Sequence, residues 1–266
     1  MKSPRSSRLA LCAVVLTAVA CAASCTNAWS DWRTASREPA GLAPDPAEVK
    51  EAVIQVYGAR TIGAKGLFGV HTWVAVKPAE ALEWTIYEVV GWRLRWSESA
   101  IVVHSRPPDA RWYGAAPELY ADRRGPGVDE LIERIDKAAR AYPYGSEYHA
   151  WPGPNSNTFT AWIARAVPEL ELDLPATAIG KDYLGSSIFG AAPSGSGVQV
   201  SLGGVLGMAI SAVDGLEFNV LGLNFGVSPN GVKLPMVGRV GSSSEPRSGA
   251  EESRPKAPLP KVSKLY

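Results

Sequence analysis

Four short segments between residues 52 and 108 have the hydrophobic pattern of β-strands. In GVHTWVAVKP, residues 69–78, one face carries Val70, Thr72, Val74 and Val76, and the other carries His71, Trp73 and Ala75. AVIQVYGAR is apolar on both faces, which is typical of a buried strand. WTIYEVVGW and AIVVHSRPP complete the set, and short polar links join all the segments. This pattern predicts an antiparallel sheet.

Two later segments repeat apolar residues at helical spacing. VDELIERIDKAARAY, residues 128–142, has an apolar stripe on one face and acidic residues four positions before basic ones on the other. The second helix follows WPGPNSN and carries Phe159, Trp162, Ile163 and Ala166 on one face. Pro143 and Pro168 end the two helices.

The region from Tyr183 to Val232 is nearly uncharged, with Asp214 and Glu217 as its only charged residues. Asp-Gly and Asn-Gly pairs stand at the centres of AISAVDGLEFNV and NFGVSPNGVKLP, and such pairs favour tight hairpins. We therefore predict a β-meander. Its Gly-rich segment SLGGVLGMAI either packs against the first sheet or faces a membrane or partner.

The predicted fold class is α+β: an antiparallel sheet with packed helices, extended by a C-terminal β-meander. One globular domain spans residues 46–240, after a signal or anchor segment at 1–25 and a linker at 26–45. Residues 241–266, rich in Ser, Pro and charge, are predicted to be a disordered tail.

The N-terminal segment, MKSPRSSRLALCAVVLTAVACAASC, has a basic start and an apolar run from Leu9 to about Cys25, which is typical of an export signal. Lipidation at Cys25 or Cys21, a retained anchor and plain cleavage all stay open. In each case the domain lies outside the cytoplasm, in the cell envelope, and the first two attach it to the membrane through its N-terminus.

Cysteine content and charge narrow the function further. All three cysteines lie within residues 1–25, so the exported part has no disulfide, no Cys-ligated metal and no thiol nucleophile. Removing Lys2, Arg5 and Arg8 from the 27 basic residues leaves 24 against 26 acidic residues. The chain thus has no excess of basic residues to neutralise the phosphates of a nucleic acid, so no nucleic-acid partner is expected. We predict no cofactor and, because the histidines lack ligand spacing, no metal.

Ser156 is the candidate nucleophile, because a helix N-terminus can stabilise a developing oxyanion. His71, in the middle of a strand, is the candidate base, and Glu88, His104 or His149 is a candidate third group. A purely structural alternative fits the same residues. Asn155, Ser156 and Asn157 each offer an N-cap, and His71 fits a hydrogen-bonded core histidine.

Aromatic and basic residues suggest a binding role. The globular part contains tryptophans throughout, which either fill the core or form platforms for sugars. An arginine-rich set could hold an anionic lipid or glycan, or could simply be a solvated face: Arg93, Arg95, Arg106, Arg111, Arg123 and Arg124. The predicted binding residues are Asn155, Asn157, Trp151 and Trp73.

Several long motifs resemble the bacterial proteins grouped as domain of unknown function 3750: VHTWVAVKP, YEVVGWR, YPYGSEYHAWPGPNSNTFTAWIAR, LPATAIGKDYL and SGSGVQVSLGGVLGMAISAVDGLEFNVLGLNFGV. The likeness covers about residues 50–240. More distantly, a strand histidine followed by Asn155-Ser156-Asn157-Thr158-Phe159 is similar to circularly permuted papain-like proteins, of the NlpC-type and lecithin retinol acyltransferase-like groups.

In that superfamily the nucleophile is a cysteine, and Ser156 stands in its place here. A hydroxyl does not ionise as a thiol does beside an imidazolium, so a relic cleft is expected. Together with the export signal, this departure from the resemblance predicts an exported, membrane-tethered envelope protein that is non-catalytic or has a relic cleft. The alternative is a Ser156/His71 hydrolase of amides or esters, or an acyltransferase, that acts on peptidoglycan or lipid.

Overall fold

The computed structural model describes residues 31–241, which form two antiparallel sheets and two α-helices. The predicted segment 1–25 and all but the first residue of the predicted tail lie outside the described residues. Within the described residues, no helix is long and apolar enough to cross a membrane.

The first sheet has five strands in the order β4-β3-β2-β1-β5, with every neighbour antiparallel. The strands are β1 (Val53–Arg60), β2 (Val70–Lys77), β3 (Thr85–Val89), β4 (Ile101–Ser105) and β5 (Glu118–Arg124). The four predicted strands are confirmed. Strand β5 was not predicted, because its sequence ELYADRR is mostly charged and it joins the sheet through a bulged pairing with β1.

Both faces of the first sheet are buried along its inner strands β1, β2 and β3. Helices α1 (Val128–Arg140) and α2 (Ser156–Ala166) cover one face, where Ile54, Val74 and Phe159 belong to the larger apolar core. The opposite face carries Tyr57, Trp73 and Ile86, and the loops that contain Ala43 and Trp112 pack against it. Residues on both sides of a strand are therefore fixed by packing, and each polar side chain there has a defined position.

Part of the predicted linker belongs to that loop layer. Pro39 forms an isolated β-bridge with Ala110, and the carboxylate of Asp109 accepts the backbone N–H groups of Leu42 (2.6 Å) and Ala43 (3.3 Å). These bonds attach the segment before β1 to the first sheet and bring Arg37 beside it.

The second sheet is the predicted meander, with seven strands in simple sequential order. The strands are β6 (Phe189–Gly190), β7 (Val198–Leu202), β8 (Leu206–Ser211), β9 (Gly215–Val220), β10 (Leu223–Ser228), β11 (Gly231–Leu234) and β12 (Gly238–Val240). The predicted Asp-Gly and Asn-Gly hairpins join β8 to β9 and β10 to β11. Gly215 has a φ of +77°, and a Cβ there would lie 1.9 Å from the carbonyl oxygen of Val227.

The polarity of the second sheet is inverted. Its buried face carries Gln199, Glu217, Asn219, Asn224 and Lys233, whereas its apolar side chains are exposed. The exposed residues form cross-strand rows, such as Val200–Met208–Phe218–Phe225 and Val198–Ile210–Leu216–Val227–Val232–Val240. We call this exposed apolar side the outer face. No charged side chain of the described strands β6–β12 lies in these rows.

Candidate functional site

Helix α2 begins with a capping box. The side-chain oxygen of Asn155 accepts the N–H groups of Asn157 (2.9 Å) and Thr158 (3.2 Å), while the Thr158 hydroxyl accepts the N–H of Asn155. The Asn155 amide also donates to the carbonyl of Ile179. Among the three candidate caps, Asn155 is therefore the one used. The N–H groups that it binds are not free to stabilise an oxyanion.

Ser156 is the first residue of α2 and is buried. Its side chain is a hydrogen-bond partner of the Tyr148 phenol; burial raises the pKa of that phenol and the bond to Ser156 opposes the rise. Tyr148 packs against the larger core, on the helix side of the first sheet. Ser156 thus lies inside this packing layer.

His71 points away from Ser156. The hydroxyl of Thr72, the next residue, lies 3.0 Å from Asn157 Oδ1 and 3.3 Å from the Ser156 carbonyl oxygen, so Thr72 faces α2. Successive residues of a strand point to opposite faces, and the His71 ring lies on Trp112 in the other layer. The structure therefore does not bring the Ser156 hydroxyl and the His71 imidazole together; the sheet separates them.

The structure instead brings His71 together with two of the three candidate third groups. Glu88 on β3 accepts His71 Nε2 through Oε2 and His104 Nε2 through Oε1, both at 2.8 Å. His71 and Glu88 are buried, whereas the His104 side chain is 38% exposed. The third candidate, His149, is exposed in the loop before α2, and its backbone N–H donates to the carbonyl of Pro154.

The charges of this cluster follow from its burial. Burial lowers the pKa of His71, and the hydrogen bond and charge of Glu88 only partly offset that effect, so the ring is neutral and donates its Nε2 proton. Burial alone would raise the pKa of Glu88, but the hydrogen bonds from His104 and His71, with the charge of Arg106, hold that pKa below its ordinary value. Glu88 is therefore a fixed carboxylate that orients two imidazoles.

Arg106 and two tryptophans complete the cluster. A nitrogen of the Arg106 guanidinium lies 3.6 Å from Glu88 Oε2, and the group stacks 5.0 Å from the Trp73 ring centroid. The same buried nitrogen has no hydrogen-bond partner within residues 31–241. The ring of Trp112 stacks on His71 with 3.7 Å between centroids. The result is a rigid aromatic floor with a positive charge above it.

Arg106 and Trp112 of this cluster line a cavity of about 450 Å³. Its lining consists of four aromatic residues, four arginines, His104, Glu88 and small apolar residues: Trp92, Trp96, Trp112, Tyr113, Arg37, Arg93, Arg106, Arg111, Val90, Val102, Pro107 and Ala110. Among residues 31–241, Glu88 is the only acidic residue of this lining. We call this cavity the aromatic pocket.

Other predicted site residues have structural roles. Trp73 is fully buried and its indole N–H donates to Pro108 (2.7 Å), while Asn157 binds the carbonyls of Val70 and Ile179. Trp151 is half exposed but lies at the second sheet, where its indole N–H donates to the carbonyl of Leu221. Cys21 and Cys25 lie outside the described residues.

The arginine set divides into two groups, apart from Arg95, which lies beside Arg93 but does not line the pocket. Arg93, Arg106 and Arg111 line the aromatic pocket, whereas Arg123 pairs with Glu171 and Arg124 pairs with Asp122 elsewhere. The sequence analysis did not identify Arg37 and Tyr113 as pocket residues, because the segments that contain them have no hydrophobic periodicity. Their positions depend on the loops that Asp109 holds in place.

One other cluster has the donors of a metal site. Carboxylate oxygens of Asp173, Asp214 and Glu217 lie within 4.8 Å of one another beneath the second sheet. The Lys233 ammonium, however, contacts both Asp173 and Glu217. This cluster therefore already contains a cation of its own.

Comparison with known proteins identifies a family. No curated protein and no solved structure matches the chain. The matched region, residues 51–183, spans the first sheet and both helices and ends before the second sheet. The chain belongs to the family described as protein of unknown function, DUF3750.

Proposed function

We propose that this protein is a non-catalytic, membrane-tethered component of the cell envelope that binds an anionic saccharide in the aromatic pocket. The observation that carries the proposal is the lining of that pocket. Arg37, Arg93 and Arg111 have no carboxylate partner within residues 31–241, and they stand beside Trp92 and Trp96, which are 40% and 70% exposed.

Each part of the lining matches one part of such a ligand. Guanidinium groups bind carboxylate or phosphate oxygens in bidentate fashion. Tryptophan rings pack against the apolar face of a sugar ring. The ion pair with Glu88 fixes Arg106 on the pocket floor, and His104 can donate or accept a further hydrogen bond from its free ring nitrogen. These groups suit recognition and provide no nucleophile.

The likeness to permuted papain-like proteins is, in this proposal, one of scaffold: a helix with a capped N-terminus packed on a strand that contains a histidine. Catalysis by Ser156 and His71 would need both groups in one crevice, and the sheet lies between them. For this reason a binding role is preferred to acyl transfer.

Tryptophan fluorescence tests the pocket directly, because three of its tryptophans would report a bound ligand. We expect quenching on titration with an oligomer of uronic acid or with a sugar phosphate, and the neutral sugar of the same ring size separates charge from ring stacking. Arg93→Gln and Arg111→Gln should each weaken binding about 10-fold or more, since each removes a charge-assisted hydrogen bond.

Arg95→Gln is the matched control, because Arg95 lies on the same 3-10 helix as Arg93 (Gly91–Arg95) but does not line the pocket. It should bind like the unmodified protein. Failure of every anionic saccharide to bind, or equal losses for Arg93→Gln and Arg95→Gln, would contradict the proposal.

The outer face of the second sheet supports the membrane part of the proposal. It is a broad apolar surface whose central strands, β8 and β9, are paired on both sides, so this part can rest on lipid without exposing unpaired N–H or C=O groups. A leader at residues 1–25 would hold that surface close to the membrane in which the leader is anchored.

Co-sedimentation with phosphatidylcholine vesicles tests this contact, with a chain that starts at residue 26 so that the leader contributes nothing. We expect binding that is insensitive to salt, because the outer face carries no charge. Replacing Met208 and Phe218 by Ser should weaken binding, whereas Val103→Ser, at an exposed apolar residue of β4, should not. Absence of vesicle binding, or burial of the face in a dimer of this chain, would contradict lipid as its partner.

A further inference from the structure

A cluster of charged side chains lies fully buried beneath the second sheet. Glu217 on β9 and Lys233 on β11 point from the sheet into the protein, and Asp173 meets them from the segment that follows the 3-10 helix Pro168–Leu170. The exposed fractions of these residues are 1%, 0% and 2%. Buried charges are costly unless they are paired, so their arrangement needs an explanation.

The contact between Lys233 and Asp173 differs from an ordinary ion pair. The Lys233 ammonium contacts Asp173 Oδ1 and Glu217 Oε1, and Nζ lies 3.3 Å from the backbone oxygen of Asp214. Despite that contact, Asp173 Oδ1 is without a hydrogen-bond partner among residues 31–241. The nitrogen therefore touches the carboxyl group away from the directions of a hydrogen bond.

The other oxygen of the same carboxyl group is strongly held. Asp173 Oδ2 accepts hydrogen bonds from Ser228 Oγ at 2.9 Å and Asn230 Nδ2 at 3.0 Å, and the Arg239 guanidinium lies 3.0 Å away. Donors that converge on one carbonyl oxygen stabilise the negative charge that it gains when a nucleophile attacks the carbon. Asp173 thus has one oxygen held by donors and one oxygen beside an amine.

Glu217 is positioned to accept a proton from that amine. Its Oε1 contacts Lys233, and its Oε2 contacts Lys181, which is also fully buried. The second lysine keeps Glu217 paired while its other oxygen exchanges a proton. The Lys233 ammonium fills the space between the carboxylates, so the cluster has no need of a metal ion.

We propose that Lys233 and Asp173 are joined by an intramolecular isopeptide bond. Glu217 takes a proton from the Lys233 ammonium, and the free amine attacks Cγ of Asp173, so that negative charge develops on Oδ2. The bond between Cγ and Oδ1 then breaks, and Oδ1 leaves as water with two protons that both come from the ammonium. One ammonium and one carboxylate thus become one amide and one water, with no change of oxidation state.

Two features of the structure favour this reaction. It replaces a buried ion pair by a neutral amide, which removes the cost of keeping two charges away from water. The released water has a place to go, because Asp173, Asn230 and Arg239 line a cavity of about 280 Å³ between β5 and the loops of the second sheet. The bond would close a covalent ring around β6 to β10 in a domain that has no cysteine.

Mass spectrometry of the denatured full-length chain tests the proposal. The wild-type chain should be lighter by one water molecule than the mass calculated from its sequence. A tryptic digest should contain a branched peptide that joins the segments around Asp173 and Lys233, with no cleavage after Lys233. A chain of full mass with normal cleavage there would overturn the proposal.

Three variants separate this bond from other dehydrations, such as cyclisation at Asp214-Gly215. Lys233→Arg should have its full mass. Asp173→Asn should lose ammonia instead of water, because the leaving group changes. Glu217→Gln should leave the two peptides unlinked or link them much more slowly. A water deficit that persists in Lys233→Arg would show that the bond lies elsewhere and would reject the assignment.

Discussion

The two sheets of this protein use the same alternation of side chains in opposite ways. In the first sheet the apolar residues of β1 and β2 face helices on one side and an aromatic layer on the other. In the second sheet the polar residues face inward, where Glu217 and Lys233 are buried, and the apolar residues face outward. Alternation alone therefore specifies two faces but does not specify which of them is covered.

The two buried carboxylates extend the contrast. Glu88, in the first sheet, binds two imidazoles and an arginine beside an open pocket. Glu217, in the second sheet, binds two lysines in a closed interior. The first arrangement leaves polar groups accessible to a ligand, whereas the second holds a sheet that has little apolar core of its own. In the proposed function, recognition therefore belongs to the first sheet and attachment to the second.

The largest expected difference in the free energy of unfolding is between two Phe→Ala variants, one in the core of the first sheet and one on the outer face of the second sheet. Phe159→Ala in α2 should lower the free energy of unfolding by about 3–5 kcal/mol, because it leaves a cavity in the core of the first sheet. Phe218→Ala on the outer face should cost about 1 kcal/mol or less, because that ring is already 46% exposed. Urea unfolding of both variants measures the difference. Equal losses would show that the outer face is covered in the isolated protein.

The sequence predicted the parts of the molecule that local patterns determine. Periodicity located β1 to β4 and both helices, and the Asp-Gly and Asn-Gly pairs located two hairpins. The sequence also named His71, Glu88 and His104 as candidate site residues, and the structure joins all three by hydrogen bonds. What failed was the pairing of Ser156 with His71, because the proximity of two distant segments depends on which side of β2 the helix packs. The aromatic pocket depends on loops without periodicity, so Arg37 and Tyr113 could not be identified.

The cap of α2 connects the helix to the loop that contains Ile179. Asn155→Ala should cost about 1–2 kcal/mol, because the N–H groups of Asn157 and Thr158 lose their acceptor and the carbonyl of Ile179 loses a donor. Ser156→Ala removes only a hydroxyl next to Tyr148 and should cost less. Thermal unfolding of the two variants compares cap and neighbour directly. A larger loss for Ser156→Ala would contradict the structural role given to each.

The two charged clusters should respond to opposite ends of the pH scale. The lowered pKa values of His71 and Glu88 mean that the unfolded chain binds more protons in acid, so stability should fall as pH drops below 6.5 and again below about 4.5. Burial alone would lower the pKa of Lys181, but the charges of Asp182, Glu217 and Asp214 raise it, so its contribution is complete below pH 10.5 and is lost only above that value.

Thermal unfolding between pH 7.5 and pH 5 measures the acid limb. His71→Gln keeps an N–H donor for Glu88 but does not titrate, so its unfolding temperature should fall less over this range than that of the unmodified protein. Lys181→Met is the control from the charged cluster beneath the second sheet, and its unfolding temperature should change with pH over this range as that of the unmodified protein does. Identical pH profiles for His71→Gln and the unmodified protein would show that His71 is not the group responsible.

The smallest expected change in the free energy of unfolding comes from a Val→Thr exchange on the outer face, which changes polarity with little change of shape. Val227→Thr on the outer face changes shape very little and adds a hydroxyl that water can reach, so the free energy of unfolding should change by about 0.5 kcal/mol or less. The same exchange at Val74, which is fully buried against the helices, adds a hydroxyl without water and should cost at least about 1 kcal/mol. Chemical denaturation of the two variants compares one chemical change in two environments. If Val227→Thr lowered the free energy of unfolding as much as Val74→Thr, the outer face would have to be buried in a contact that already exists in solution. The apolar side of the second sheet would then be an interface between protein chains and not a surface open to lipid.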